Sequence, residues 1–190
     1  YEQGACLVNP ASQTLVQYAG GWNDPARGKE NALAMYEQGA AIVFQIAGGT
    51  GVGVFEAAHE TQNYAIGVDS DQAMIMAGTD PDLAQYILPS MQKNVDASLF
   101  RAFELYEAGE LPLGQEEALG LAEGGVSLSV NEFYLAATPE NIQDLIAAVT
   151  AAVDAGEITV VTALGDDAIG VDTPCSAMPE SDFDVAAFLG

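Results

Sequence analysis

Three short segments hold residue types that could grip a polar, uncharged ligand. Gly20-Gly21-Trp22-Asn23 offers an aromatic plate in the chain's single tryptophan, and Gly48-Gly49-Thr50-Gly51 offers bare backbone N–H groups at the start of a helix. Asp69-Ser70-Asp71 offers carboxylates. Each follows a strand candidate, and open parallel α/β sheets bind ligands outside the carboxyl ends of their strands. Taken singly, each has a plainer explanation. Trp22 could cover a sheet edge, glycines after a strand often serve only a tight turn, and Asp69 or Asp71 suits a helix N-cap. The convergence of all three carries the functional reading. Lys93 is singled out as one of only two lysines; a ligand contact and a local ion pair both fit it.

Other chemistries are excluded by what the spacing lacks. The dinucleotide fingerprint fails, because from Gly49 it requires glycine at Val54 and from Gly51 at Glu56. No Gly-Lys-Ser/Thr occurs, so a P-loop is absent. No bound cofactor is expected. His59, the one histidine, sits beside Glu60 in a helical stretch and reads as a surface residue. No Ser/His/Asp or Cys/His arrangement is present, so no catalytic residue is assigned and the chain is not expected to be an enzyme. Cys6 and Cys175 lie too far apart for a metal-ligand pattern, and no metal site is expected. They could pair in an oxidising compartment.

The positioning elements alternate strand and helix. Thr14–Ala19 reads as a strand, followed by an Asn23-Asp24-Pro25 helix start and a helix with Ala32, Leu33, Met35, Tyr36 and Ala40 on one face, stopped by Gly39. Ala41–Ile46 is an unbroken apolar run, as in a strand buried on both faces. A helix over Val52–Gln62 and a strand over Tyr64–Val68 follow. Strand starts at 14, 41 and 64 are spaced 27 and 23 residues apart, the length of a βα unit, which predicts a parallel sheet. Beyond it, Leu83–Met91 reads as a strand, Val95–Ala108 as a helix, Gly125–Val130 as a strand, Pro139–Ala155 as a helix and Ile158–Thr162 as a short strand. Residues 163–190, with Asp166, Asp167, Pro174 and Pro179, read as an acidic C-terminal tail.

Charge narrows the partners. Against 28 acidic residues stand 4 basic ones, a net charge of −24, and no Lys or Arg follows Arg101. Such a field repels phosphate backbones and anionic lipid, which excludes nucleic acid as a partner. It also turns the glycine-rich helix start, ordinarily a phosphate site, toward a neutral ligand. The acidic surface fits either solvation in high salt, where screening relieves self-repulsion, or a cationic partner. No apolar stretch of about 18 residues offers a membrane span. A chain that starts at Tyr1 without Met reads as a fragment or a processed product.

Four motifs in order resemble the basic membrane protein family: Gly20-Gly21-Trp22-Asn23-Asp24-Pro25-Ala26-Arg27-Gly28-Lys29-Glu30, Ala47-Gly48-Gly49-Thr50-Gly51-Val52-Gly53-Val54, Ile66-Gly67-Val68-Asp69-Ser70-Asp71-Gln72, and Leu88-Pro89-Ser90-Met91-Gln92-Lys93-Asn94-Val95-Asp96. Pro89 stands where Thr is more usual, and the resemblance spans roughly residues 1–160. Members of that family are substrate-binding lipoproteins of ABC transporters, purine nucleoside receptors among them. The resemblance implies a Rossmann-like α/β lobe of the type I periplasmic binding protein kind over residues 1–162, a hinge crossover near 88–94, and a first lobe that is largely missing. It implies Trp22 stacked on the base, backbone at Gly48 and Gly49 against the ligand, a carboxylate of Asp69 or Asp71 on the ribose hydroxyls with Asp71 favoured, and Lys93 assisting. The implied partners are a purine nucleoside and an ABC permease, in an extracytoplasmic, membrane-anchored or periplasmic location. Two rivals remain: a Rossmann-type nucleoside or nucleotide enzyme, and a non-transport sensor of the same fold.

Overall fold

The computed structural model describes residues 1–163, 168–170 and 173–189. Its helices are α1 (Glu2–Val8), α2 (Pro25–Glu37), α3 (Gly51–Thr61), α4 (Gln72–Ala77), α5 (Pro81–Ala84), α6 (Val95–Ala108), α7 (Glu132–Ala137), α8 (Glu140–Asp154) and α9 (Ala186–Leu189). Its strands are β1 (Ile42–Phe44), β2 (Tyr64–Asp69), β3 (Ile87–Lys93) and β4 (Val126–Leu128). The chain divides into two compact units, residues 17–137 and residues 1–16 with 138–190.

Residues 17–137 carry the sheet, in the order β1-β2-β3-β4. The first three strands are parallel, as the βα spacing predicts, and β4 runs antiparallel to β3. Asp24 caps α2, its carboxylate accepting the Arg27 N–H at 3.1 Å with Pro25 in the first turn. At the other end Gly39 takes φ +97°, the left-handed conformation that stops the helix. Ala32, Met35 and Tyr36 turn inward, and the Tyr36 hydroxyl donates to the Tyr64 carbonyl at 2.8 Å, pinning α2 to the start of β2. The core gathers these residues with Val43, Val54, Phe55, Ala57, Ala58, Ala65, Ala73, Leu83 and Ile87. Between β2 and β3 the register slips by one: Ile66 faces Leu88 but Gly67 faces Ser90. The skipped residue is Pro89, which has no N–H to give to a ladder.

Four expectations need correction. Thr14–Ala19 is not a strand, and Leu15, Val16 and Tyr18 are exposed; β-propensity makes a strand only where a neighbouring strand supplies the ladder. The run Ala41–Ile46 is not buried on both faces, because β1 is an edge strand and Ile46 is exposed. The Leu83–Met91 strand is shorter at its start, since Asp80 accepts the Leu83 N–H and opens α5 instead. Ile158–Thr162 is no strand either: the Gln3 side chain takes up its backbone, donating to the Thr159 carbonyl at 2.8 Å and accepting from the Val161 N–H at 3.0 Å.

In the second unit, α8 matches the expected Pro139–Ala155 helix to within a residue at each end. Cys6 of α1 and Cys175 form a disulfide across 169 positions of sequence. The described part of 163–190 includes a short 3-10 turn at Cys175–Ala177 and α9, with Met178 and Val185 buried and the Phe188 carbonyl bonded by Asn141. Asp166 and Asp167 lie outside the described residues. Residues 88–94 run along β3 into the cap of α6.

Candidate functional site

The turn after β1 brings two of the three segments together. Gly48–Thr50 forms a 3-10 turn that feeds α3, and Gly48 adopts φ +57°, a conformation glycine takes without steric cost. Thr50 is fully buried and sews the turn to the segment ahead of α2. Its hydroxyl donates to the Gly21 carbonyl and accepts from the Asp24 N–H, both at 2.9 Å, while its own N–H donates to the Trp22 carbonyl at 3.2 Å. Trp22 thereby lies over Gly48, close enough that a Cβ there would sit 3.6 Å from the indole Cε3. A Cβ on Gly49 would meet Asn23 Oδ1 at 3.0 Å. Trp22 is 71% exposed, a surface aromatic rather than a core side chain.

The end of β2 carries the charged pair. Lys93 Nζ lies 2.8 Å from Asp69 Oδ1, and both side chains are more than half exposed. The pairing follows from the ladder, in which Asp69 faces Gln92, the residue before Lys93. Asp69 sits at φ +69°, a region that Asp tolerates better than most residues but that still costs energy. An exposed ion pair contributes about 0–1 kcal/mol, so fold stability alone gives little reason for this geometry. The other three cations pair elsewhere: Arg27 with Glu30, Arg101 with Glu117, and Lys29 with Glu56 and Glu60. The hydrogen bond to Glu60 is the largest influence holding the Lys29 ammonium above the usual lysine range.

Asp71 is engaged differently. It caps α4, accepting the Met74 N–H at 3.2 Å, and both its oxygens accept from Asn131 Nδ2 at 2.9 and 3.0 Å. Asn131 in turn accepts the Tyr134 N–H at 2.9 Å. The N-cap explanation open to either aspartate is realised at Asp71, while Asp69 is the carboxylate presented with Lys93.

A polar relay beneath the loops was not foreseen from the sequence. Gln45, Ser90 and Ser129 are buried, and Gln72 is half-buried. Gln45 Nε2 donates to Gln72 Oε1, the Gln72 N–H to Ser90 Oγ, and the Ser90 N–H to Ser129 Oγ. The available signal was Gln45 itself, an amide inside an apolar run. His59 stacks on Tyr86, with ring centroids 5.1 Å apart, and lines a groove of about 470 Å³ with Lys29, Glu56, Glu60 and Asp80. None of the six expected site residues lines that groove.

The sequence matches a known family over most of its length. Residues 1–158 match the family described as ABC transporter substrate-binding protein, PnrA-like. The chain belongs to that family. It is 36% identical over 135 residues to basic membrane protein D of Borreliella burgdorferi, covering 70% of this chain and 38% of that protein. It is 34% identical over 170 residues to the ABC transporter nucleoside-binding protein BmpA of Lactococcus lactis, covering 84% of this chain and 47% of that protein. The chain therefore spans less than half the length of these relatives. Among solved structures, an ABC transporter solute-binding protein from Aeropyrum pernix aligns with a TM-score of 0.66 at 25% identity, covering 87% of this chain and 52% of that one. A solute-binding protein from Conexibacter woesei shares the fold, with a TM-score of 0.62 at 20% identity. Among the described residues of this PnrA-like chain, no helix is long and apolar enough to cross a membrane.

Proposed function

We propose that the chain supplies one wall of a nucleoside-binding site in an extracytoplasmic receptor that hands its ligand to an ABC permease. The observation that carries this reading is the strand-end edge: an exposed indole laid over Gly48 and a carboxylate–ammonium pair at Asp69 and Lys93. Vicinal hydroxyls donate to a carboxylate in a pair of charge-assisted bonds, and a neighbouring ammonium favours the ionised form that accepts them. The indole recognises a flat base through stacking, which requires no charge on the ligand. Backbone N–H groups near Gly48 and Gly49 complete the polar contacts. Asp69 takes the hydroxyls in this reading, and Asp71 braces the turn through Asn131. A net charge of −24 favours a nucleoside over a nucleotide. The relative named as nucleoside-binding supports the ligand class, and a disulfide fits an oxidising compartment outside the cytosol.

The test follows emission from Trp22, the sole tryptophan of this chain, in the full-length receptor with any other tryptophan replaced by Phe. Inosine, adenosine and guanosine are expected to change its intensity in a saturable way, while free ribose and inosine monophosphate leave it nearly unchanged. An equal response to all five, or none to the nucleosides, rejects the reading.

A further inference from the structure

We infer that Gln45 and Gln72 are positioning residues: an amide bridge that sets the glycine turn and the Asp69 turn in register as one unit. Two backbone donors fix which way each amide points. The Ala47 N–H donates to Gln45 Oε1 at 3.1 Å, so Gln45 turns its Nε2 the other way. The Val68 N–H donates to Gln72 Oε1 at 2.9 Å, and the same oxygen accepts Gln45 Nε2 at 2.5 Å. The bridge thus runs from the residue just before Gly48 to the residue just before Asp69.

The surrounding backbone is shaped to this bridge. A Cβ at Gly51 would stand 2.0 Å from Gln45 Oε1, and a Cβ at Gly67 would stand 3.0 Å from Gln72 Oε1 and 2.2 Å from Ser90 Oγ. Ser90 accepts the Gln72 N–H at 3.1 Å and so ties the bridge to β3, the strand that ends in Lys93. An amide that is 3% exposed costs free energy unless its bonds are made, and an apolar side chain would fill the space more cheaply. Here the amide does what an apolar group cannot: it gives the free N–H of one turn an acceptor that is itself held by the other turn. Only the consequence for ligand binding rests on the nucleoside reading above.

The experiment is backbone amide hydrogen exchange on the chain and three variants, Gln45→Met, Gln72→Met and Gln72→Glu, without ligand. In Gln72→Met the Ala47 amide keeps its own acceptor, yet its exchange is expected to speed up about five- to tenfold, the loss expected for one net hydrogen bond. In Gln45→Met the Val68 amide is expected to speed up likewise, with Gln72 intact. The Phe55 amide in α3 stays at its parent rate in both, which separates the effect from global unfolding. Gln72→Glu retains an acceptor for both donors and is expected to keep Ala47 protected. Parent-like exchange at Ala47 in Gln72→Met overturns the inference, as does equal acceleration in Gln72→Glu. If Gln72→Met does not fold, the Val68 amide in Gln45→Met decides the matter. Inosine titration of the full-length receptor, as parent and as Gln72→Met, separates the two claims. A parent that ignores inosine while Gln72→Met opens Ala47 sinks the nucleoside reading and leaves the bridge standing. A parent that binds inosine while Ala47 stays closed in Gln72→Met does the reverse.

Discussion

Reducing the Cys6–Cys175 disulfide should loosen residues 1–16 and 138–190 while leaving residues 17–137 intact. The two stretches that the bond joins belong to one compact unit, and the other unit lies between them in sequence. If the whole chain unfolded at once, the closed loop would span 169 residues, and the chain-entropy relation gives about 5 kcal/mol of stabilisation. If residues 17–137 stay folded, only the roughly 50 residues of 6–16 and 138–175 gain freedom, and the same relation gives about 4 kcal/mol. With a urea slope of about 1–3 kcal/mol per molar, that is a midpoint shift of at least about 1 M. The assay is a urea titration with and without dithiothreitol, following Trp22 emission for residues 17–137 and amide exchange in α8 for the other unit. The α8 transition should move down and the Trp22 transition should hold, and a double Cys→Ser variant should behave like the reduced protein. If both transitions move together, the units unfold as one block. If neither moves, loop closure does not govern this stability.

Replacing Asp69 with Asn should weaken nucleoside affinity about 10- to 150-fold, the range for losing charge on a hydrogen-bonding partner, while melting shifts by no more than about 1 kcal/mol as for an exposed ion pair; calorimetry and thermal denaturation read the two effects. Asp71→Ala should instead lower stability by about 1–2 kcal/mol through the lost cap on α4, seen as an earlier urea midpoint by Trp22 emission. With a net charge of −24 the melting temperature should rise between about 0.05 M and 2 M KCl, as screening relieves self-repulsion, and a flat profile would remove the high-salt explanation of the acidic surface.

Local signals in the sequence translated directly into structure. Asp24-Pro25 opens α2 and Gly39 closes it because caps and left-handed stops are decided within a few residues. The apolar patterns of α3, α6 and α8 were equally legible, to within a residue at each end. What failed depended on distant partners. Thr14–Ala19 has strand-forming residues but no strand beside it, and Ile158–Thr162 has its backbone occupied by Gln3, more than 150 positions away. The direction of β4, on which the sequence carried no expectation, is set by its pairing with β3. At the site, Trp22, Gly48 and Gly49 were legible as a cluster, and so was the interest of Lys93. The difference between Asp69 and Asp71 was not, because it turns on Asn131, which lies 60 residues downstream. The Gln45–Gln72 bridge was hidden for the same reason: Gln45 stands out as an amide in an apolar run, but its partner lies 27 positions away.

The most direct test of the central claim is a map of inosine-induced shifts in the amide and indole NMR spectrum of the full-length receptor. Saturable shifts are expected at the Trp22 indole N–H and at the amides of Gly48, Gly49 and Asp69, with α8 and the groove beside His59 unchanged, and in Asp69→Asn the same shifts should need about 10- to 150-fold more inosine. Shifts centred on Glu56, His59 and Asp80, or none at the strand ends under saturating inosine, would contradict that claim.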